Sequence, residues 1–197
     1  MKIDNTIHSA GGIFSTPSDM AKFLLVHLNG GKISNQSVFD KQVINETQKM
    51  HLVINNPPKR TVESFKLKGH GIGWRIGTYN KDSVFYYTGS YPGALTEISF
   101  IPEKKLGVVV MSNEMFAGFL ADLLTTYVYD WFSDKSTADS LYAAKENQLL
   151  IMKEQMQKAN KDHNEKLKSR TWQLELPMNN YAGEYYNELY GNLTVTI

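Results

Sequence analysis

The sequence predicts an α+β protein in which an antiparallel sheet of about three to five strands packs against helices, followed by a long helix and a partial β-hairpin. Amphipathic helical patterns flank a central block of short strands that turn residues separate. Those strands follow one another without intervening helices, which is typical of an antiparallel meander. Beyond residue 133 the chain becomes highly charged, and residues 173–197 are aromatic and rich in β-forming residues.

The stretch at residues 11–31, GGIFSTPSDMAKFLLVHLNGG, has the features of a complete helix. Thr16 is a suitable N-cap, Pro17 suits the first helical position, and Asp19 can reach back toward the helix start. Apolar residues at helical spacing form one face, and two glycines end the pattern. A weaker helix is expected at about residues 40–50. The first helix should bury its apolar face against a core.

Four strands are predicted in the central block, with the sequences GHGIGWRIGTYN, DSVFYYTG, ALTEISFIP and LGVVVMSNE. The turn Asn80-Lys81-Asp82 joins the first two as a hairpin. Because the run VVVM is apolar on both faces, we expect its strand to be central in the sheet and covered.

The C-terminal part of the chain predicts two further helices. Residues 115–132 have a wide apolar face that should lie across the sheet. Residues 133–170 have a narrow apolar stripe and many charges, which favours a packed connector over a coiled coil. The predicted domains are therefore residues 1–133, a helical connector at residues 134–172, and a truncated β-domain at residues 173–197.

The composition excludes several classes of function. The formal net charge is +1, so no basic surface predicts nucleic-acid binding. The chain has no cysteine, and its five histidines lack metal-ligand spacing, so neither a metal nor another cofactor is expected. We place His27 at the surface or boundary of its helix. The apolar runs are too short to span a membrane, no signal peptide is recognisable, and the compartment stays open.

The box Tyr87-Thr88-Gly89-Ser90, followed by Gly93, is the most informative part of the central block. Strand interiors disfavour glycine unless another group must approach the backbone closely. Taken alone, the box would be a β-bulge or a turn without a ligand. The segments that surround the box along the chain favour a functional site instead.

Three segments in this order resemble a known family. SAGGIFSTPSDMAKFLLVHLNGG, GHGIGWRIG and YYTGSYPGALTEISFIPEKKLGVVVMSNE are similar to the C-terminal half of serine β-lactamases and penicillin-binding-protein-like hydrolases, nearest to the class C, esterase-like branch. The tail LPMNNYAGEYYNELYGNLTVTI is similar to the start of the small β-domain often appended to them. The resemblance implies the C-terminal part of a β-lactamase-like fold.

The family's catalytic machinery comes in three boxes, Ser-x-x-Lys, Tyr-x-Asn, and Lys-Thr-Gly or His-Thr-Gly. The resemblance implies that Tyr87, Thr88 and Gly89 form the third box. It also implies that the backbone amide of Ser90 donates to the oxyanion of acyl transfer. Tyr91 is either a wall of the substrate pocket or an exposed strand aromatic. A phenol at Tyr87, uncharged at neutral pH, replaces the family's cation and weakens the case for penicillin-like carboxylate substrates.

The other two boxes are missing from their expected places. No serine of the chain has a lysine three residues on, and Tyr185-Tyr186-Asn187 matches Tyr-x-Asn only in the tail, which we interpret as a coincidence. We therefore expect a fragment of a serine acyl-hydrolase whose parent acts on an ester, amide, β-lactam or peptide-like acyl substrate. Alone it should have no turnover. The alternative is a standalone, degenerate binding or interaction module that kept the sheet and lost the chemistry.

The resemblance also implies partners. Family members build their sheet from strands at both ends of the hydrolase domain, so this chain should expose an apolar sheet edge and helix surface. Exposed edges and apolar patches promote association. We therefore expect the missing N-terminal half, or a second copy in a dimer or swapped assembly, as the partner. Relatives are commonly exported, which implies a parent in the cell envelope or outside the cell.

Overall fold

The protein was analysed as a computed structural model, which describes residues 11, 13–57, 64–114, 117–171 and 173–197. The chain divides into two compact units, Met1–Ile151 and Met152–Ile197. The predicted limits of the three domains stay a prediction. The expected first residues of the third helix, Met115 and Phe116, lie outside the described residues.

One antiparallel sheet organises the first unit, with the strand order β3-β4-β5-β6-β7-β8. The predicted fold class is confirmed, and the sheet has six strands because two short ones extend it beyond β5. A separate hairpin joins β1 to β2. The strands are β1 Lys32–Ile33, β2 Gln36–Ser37, β3 Leu52–Val53, β4 Lys66–His70, β5 Arg75–Tyr79, β6 Asp82–Tyr91, β7 Ala94–Ile101 and β8 Leu106–Ser112.

Local sequence signals place the helices of the first unit. The hydroxyl of Thr16 accepts a hydrogen bond from the Asp19 amide at 3.2 Å, and Pro17 is the first helical residue, which confirms the predicted start. The helices are α1 Pro17–Leu28, α2 Lys41–Gln48, α3 Gly118–Ser133 and α4 Lys135–Lys168, with a 3-10 turn at Pro102–Lys104. The last of them, α4, extends into the second unit.

The core has one layer on each face of the sheet, because strand side chains alternate between the two faces. On one face α1 contributes Leu24 to a cluster with Trp74, Ile76, Phe85 and Phe100. On the other face α3 contributes Tyr129 to a second cluster. That cluster contains Phe65, Tyr79, Val84, Tyr86, Ile101 and Tyr129. The first half of β6 is therefore fixed from both sides.

The position predicted for β8 is wrong. It is the terminal strand of the sheet, and no described strand pairs with its outer edge. β8 is apolar on both faces because each face packs against a different core cluster. Val108 packs against the cluster that contains Tyr129, and Val109 packs against the cluster that contains Leu24. Burial of both faces by helices does not require neighbours at both edges.

The surface position predicted for His27 is also wrong. Its side chain is only 7% exposed, and its ring lies 4.9 Å from that of Trp74 and 5.6 Å from that of Phe100. The Gln48 amide nitrogen lies 3.4 Å from its Nδ1 atom. Burial lowers the pKa of His27 to about 4, because the charged imidazolium would lose its hydration.

This burial predicts a loss of stability at acid pH. The unfolded chain binds a proton at His27 near its ordinary pKa of about 6.5, whereas the folded chain does so only near about 4. The free energy of unfolding should therefore fall as the pH drops from about 6.5 to about 4, by roughly 1–2 kcal/mol after allowance for solvent screening. Urea unfolding across this range measures it. His27→Gln should flatten the pH dependence; a slope in this variant equal to that of the wild type would contradict the assignment.

The second unit contains the predicted hairpin. Its strands, β9 Gly183–Asn187 and β10 Gly191–Val195, pair antiparallel. The side-chain oxygen of Asn187 accepts hydrogen bonds from the amides of Leu189 and Tyr190, at 2.9 and 3.2 Å, which closes the turn. A 3-10 turn at Met178–Tyr181 precedes the hairpin.

Candidate functional site

The predicted box lies where β6 continues past its neighbour. The pairing of β5 with β6 ends at Arg75 opposite Tyr86, whereas the pairing of β7 with β6 continues to Tyr91 opposite Ala94. Among the described residues, no strand pairs with the second edge of residues 87–91. The second half of β6 therefore has one paired edge and one open edge.

The hairpin between β6 and β7 determines which backbone groups face this open edge. Its turn has two residues, Pro92 and Gly93, and Gly93 has φ 82°, which glycine tolerates. The closing pair of such a turn is hydrogen-bonded, and antiparallel pairs alternate between bonded and non-bonded. Counting back from Tyr91, Gly89 is bonded to β7 and Ser90 is not.

The hairpin between β5 and β6 independently gives the same directions for the backbone amides of β6. Its two-residue turn, Asn80–Lys81, is closed by Tyr79 and Asp82. Because bonded and non-bonded positions alternate along the strand from Asp82 onward, the amides of the even-numbered residues of β6 point toward the β5 side. Beyond Tyr86 there is no β5 residue on that side, so the N–H groups of Thr88 and Ser90 point into the open edge.

The open edge is accessible. Gly89 and Ser90 are exposed and Thr88 is half-buried. A Cβ atom added at Gly89 would have no neighbour within 4 Å, so the face of the strand is also open there. A ligand can therefore approach the backbone of this part of β6.

Arg75 is a charged residue of the site that the sequence analysis missed. Its Cζ atom lies 5.5 Å from the centre of the Tyr87 ring, and Tyr87 is 46% exposed. Arg75 sits at the last pairing position of β5, so only the register of the sheet brings it to this place. A guanidinium therefore lies beside the phenol of Tyr87.

Glu97 is a second residue that the sequence analysis missed. It lies opposite Thr88 on β7, in a non-hydrogen-bonded pair whose side chains are close together, and it is 6% exposed. On the same face the hydroxyl groups of Ser99 and Tyr129 lie 2.6 Å apart. The pKa of Tyr129 is raised overall. Burial is the main cause and the Glu97 carboxylate adds to it, whereas the Ser99 hydrogen bond acts in the opposite direction. The period-two pattern of β7 could have indicated that Glu97 faces inward.

The Tyr-x-Asn matches both lie in the hairpin of the second unit. Tyr185-Tyr186-Asn187 belongs to β9, where the tyrosine side chains are exposed. Tyr190-Gly191-Asn192, at the start of β10, is a second match that the sequence analysis missed.

No group of three or more His, Cys, Asp or Glu residues in the described part of the chain could hold a metal ion. No described helix is both long and apolar enough to cross a membrane.

Comparison with known proteins places the chain in a family. No curated protein matches it. Among solved structures it is similar to the octameric penicillin-binding protein homologue from Pyrococcus abyssi, with 23% sequence identity and a TM-score of 0.47. That likeness covers 60% of this chain and 24% of the other, so the chain spans about a quarter of that protein's length. The model of the Beta-lactamase family matches residues 2–129, more than half of the 197 residues. The chain therefore belongs to the Beta-lactamase family, which includes the serine β-lactamases and the penicillin-binding-protein-like hydrolases.

Proposed function

We propose that this chain supplies the oxyanion strand and one wall of the site in a serine acyl-hydrolase that acts on an ester, an amide or a β-lactam. The open edge of β6, with the Ser90 amide directed into it, is the observation that carries this proposal. Acyl transfer develops negative charge on a carbonyl oxygen, and a backbone N–H aimed at that oxygen stabilises the transition state by a few kcal/mol.

The other residues of the box have matching roles in this proposal. Gly89 has no side chain, so an acyl group can lie alongside the strand. The hydroxyl of Thr88 is placed to contact a carbonyl or carboxylate of the substrate. Tyr87 can donate a hydrogen bond from its phenol, and Tyr91 lines the site near the hairpin turn.

The nucleophile in this proposal comes from another polypeptide segment. The 197 residues contain no Ser-x-x-Lys tetrapeptide, which the family uses to form its acyl-enzyme. An oxyanion strand without an activated serine binds the acyl group but does not attack it. We therefore propose that these residues alone have no turnover.

Covalent labelling tests this proposal. The chain alone, treated with a fluorophosphonate or a fluorescent penicillin, should gain no mass. Addition of a polypeptide that carries the family's Ser-x-x-Lys and Tyr-x-Asn boxes should restore labelling, and the label should lie on that polypeptide. A stable adduct on any serine of this chain would overturn the proposal.

A second candidate function is a non-catalytic binding or interaction module of the same fold. Two observations favour it, the phenol of Tyr87 in the place of a cation and the lack of Ser-x-x-Lys in these residues. The coding sequence around this chain discriminates between the two functions. A neighbouring segment with both missing boxes favours the hydrolase, whereas a promoter and ribosome-binding site directly before Met1, with no such segment nearby, favours the module.

We also propose that the chain associates with the complementary half of the fold or with a second copy. The outer edge of β8, Leu106–Ser112, has the sequence LGVVVMS, without charge or proline. Natural edge strands usually carry such residues to prevent pairing. Light scattering over a range of concentrations should show a mass above that of the monomer. A monomer at the highest concentration would contradict self-association.

A further inference from the structure

An apolar depression of about 320 Å³ lies beside the box. Its wall comes from α1, α2, the turn before β5, and strands β6 and β7. Its apolar lining residues include Phe23, Phe39, Val43, Ile72, Tyr87 and Ile98. We call this feature the apolar depression. Its volume is at the small end of the range for ligand pockets and suits one ring or a short alkyl chain.

The wall is apolar and uncharged although much of it is exposed. Phe39, Val43 and Ile72 each leave about half of their side-chain surface accessible. Among the described residues, no Asp, Glu, Lys or Arg lines the depression. His27, which also lines it, stays neutral near pH 7 because burial lowers its pKa to about 4. Contiguous exposed apolar surface of this kind marks a binding site, and its apolar lining favours an uncharged occupant.

Tyr87 connects the depression to the open edge. It lines the depression and is also the first residue of the box. Ser90 lies three residues further along β6, or about 10 Å at the rise of an extended strand. A group whose carbonyl oxygen accepts from the Ser90 amide can therefore extend along the strand into the depression.

We propose that the apolar depression holds the substituent of the acyl group, and that the preferred acyl groups are uncharged alkyl or arylalkyl chains rather than acetyl. The inference rests on the proposed function of the open edge. It adds a substrate class to that function, since the length and the apolar character of the acyl group determine its affinity for the site.

Titration with carboxamides tests the inference on the chain as it exists. The probes are acetamide, hexanamide and 4-phenylbutanamide, observed through backbone amide signals of Thr88 and Ser90 and through the side-chain signals of Ile72 and Trp74. We expect the two longer amides to shift both sets of signals and to bind roughly tenfold tighter than acetamide, because several methylene groups leave water.

The outcomes separate the inference from the proposed function. Equal affinities for all three amides, with shifts at Ser90, would overturn the inference and leave the proposed function supported. Shifts at Ile72 and Trp74 without shifts at Thr88 and Ser90 would support an apolar site but contradict the oxyanion edge. An absence of shifts at both places would contradict both.

A matched pair of variants tests whether the preference for longer amides over acetamide depends on the depression. Ile72→Asn replaces a wall residue that is 55% exposed, and Leu52→Asn replaces a residue on β3 that is 58% exposed and does not line the depression. We expect Ile72→Asn to reduce the preference for hexanamide over acetamide several-fold, and Leu52→Asn to retain it. Both exposed positions should tolerate asparagine. An unchanged preference in folded Ile72→Asn would overturn the inference.

Discussion

Replacement of Trp74 by alanine should destabilise the first unit by about 3–5 kcal/mol, the range for a buried large aromatic residue. Trp74 is 4% exposed, and its ring lies 4.9 Å from that of His27 and 5.0 Å from that of Phe100. Its removal leaves a cavity between α1 and the sheet that these rings cannot close without moving.

Urea unfolding of the wild type and of two variants measures this effect. Trp131→Ala is the matched control, because Trp131 lies on α3 and is 40% exposed. We expect the control to lose less free energy of unfolding than Trp74→Ala, since part of the Trp131 side chain stays in water in the folded chain. Equal losses in the two variants would show that Trp74 does not hold α1 against the sheet.

The largest expected effect on function comes from Ser90→Pro, which removes a single amide hydrogen. By the alternation along β6, this amide is not bonded to β7, so proline should leave the sheet intact. In a protein that unites this chain with a Ser-x-x-Lys segment, acyl transfer should fall about 10²–10³-fold, as after loss of one oxyanion donor.

Ser90→Ala is the control for this variant. It retains the amide and loses only the hydroxyl, so we expect a change of less than about threefold if the backbone alone acts on the oxyanion. Steady-state kinetics with one ester substrate, together with unfolding curves, separates lost chemistry from lost folding. A folded Ser90→Pro variant with wild-type rates would remove the Ser90 amide from the mechanism.

Features that depend on neighbouring residues could be predicted from the sequence. The start of α1 follows from a hydroxyl, a proline and an acid within one helical turn, and the structure confirms it. The β5–β6 turn also follows, because Asn80 can adopt a φ of 52° that most residues avoid. These signals act over a few residues, so tertiary contacts do not override them.

Features that depend on the order of strands could not be predicted in the same way. The apolar faces of β8 indicated a central strand, because burial by two helices and burial between two strands select similar residues. Short β3 and β4 have too few residues for a clear alternation, so the sheet was expected to be smaller. Arg75 reaches Tyr87 only through the register of β5 and β6.

The candidate site combines both kinds of information. The box could be picked out because glycine and small residues are unusual in a strand. The direction of its amides could not, because it depends on where β5 ends and on the two turns that fix the register. The buried position of His27 has the same cause, since Trp74 and Phe100 come to it from distant parts of the chain.

Amide hydrogen exchange along β6 tests the central claim most directly, because the open edge predicts an alternating pattern. The amides of Thr88 and Ser90 should exchange quickly, and those of Gly89 and Tyr91, which bond to β7, should be protected. Measurement of these four amides by NMR, in the chain without ligand, requires no catalytic activity. Protection of Ser90 equal to that of Gly89 would mean that the edge is covered, and it would contradict the oxyanion strand.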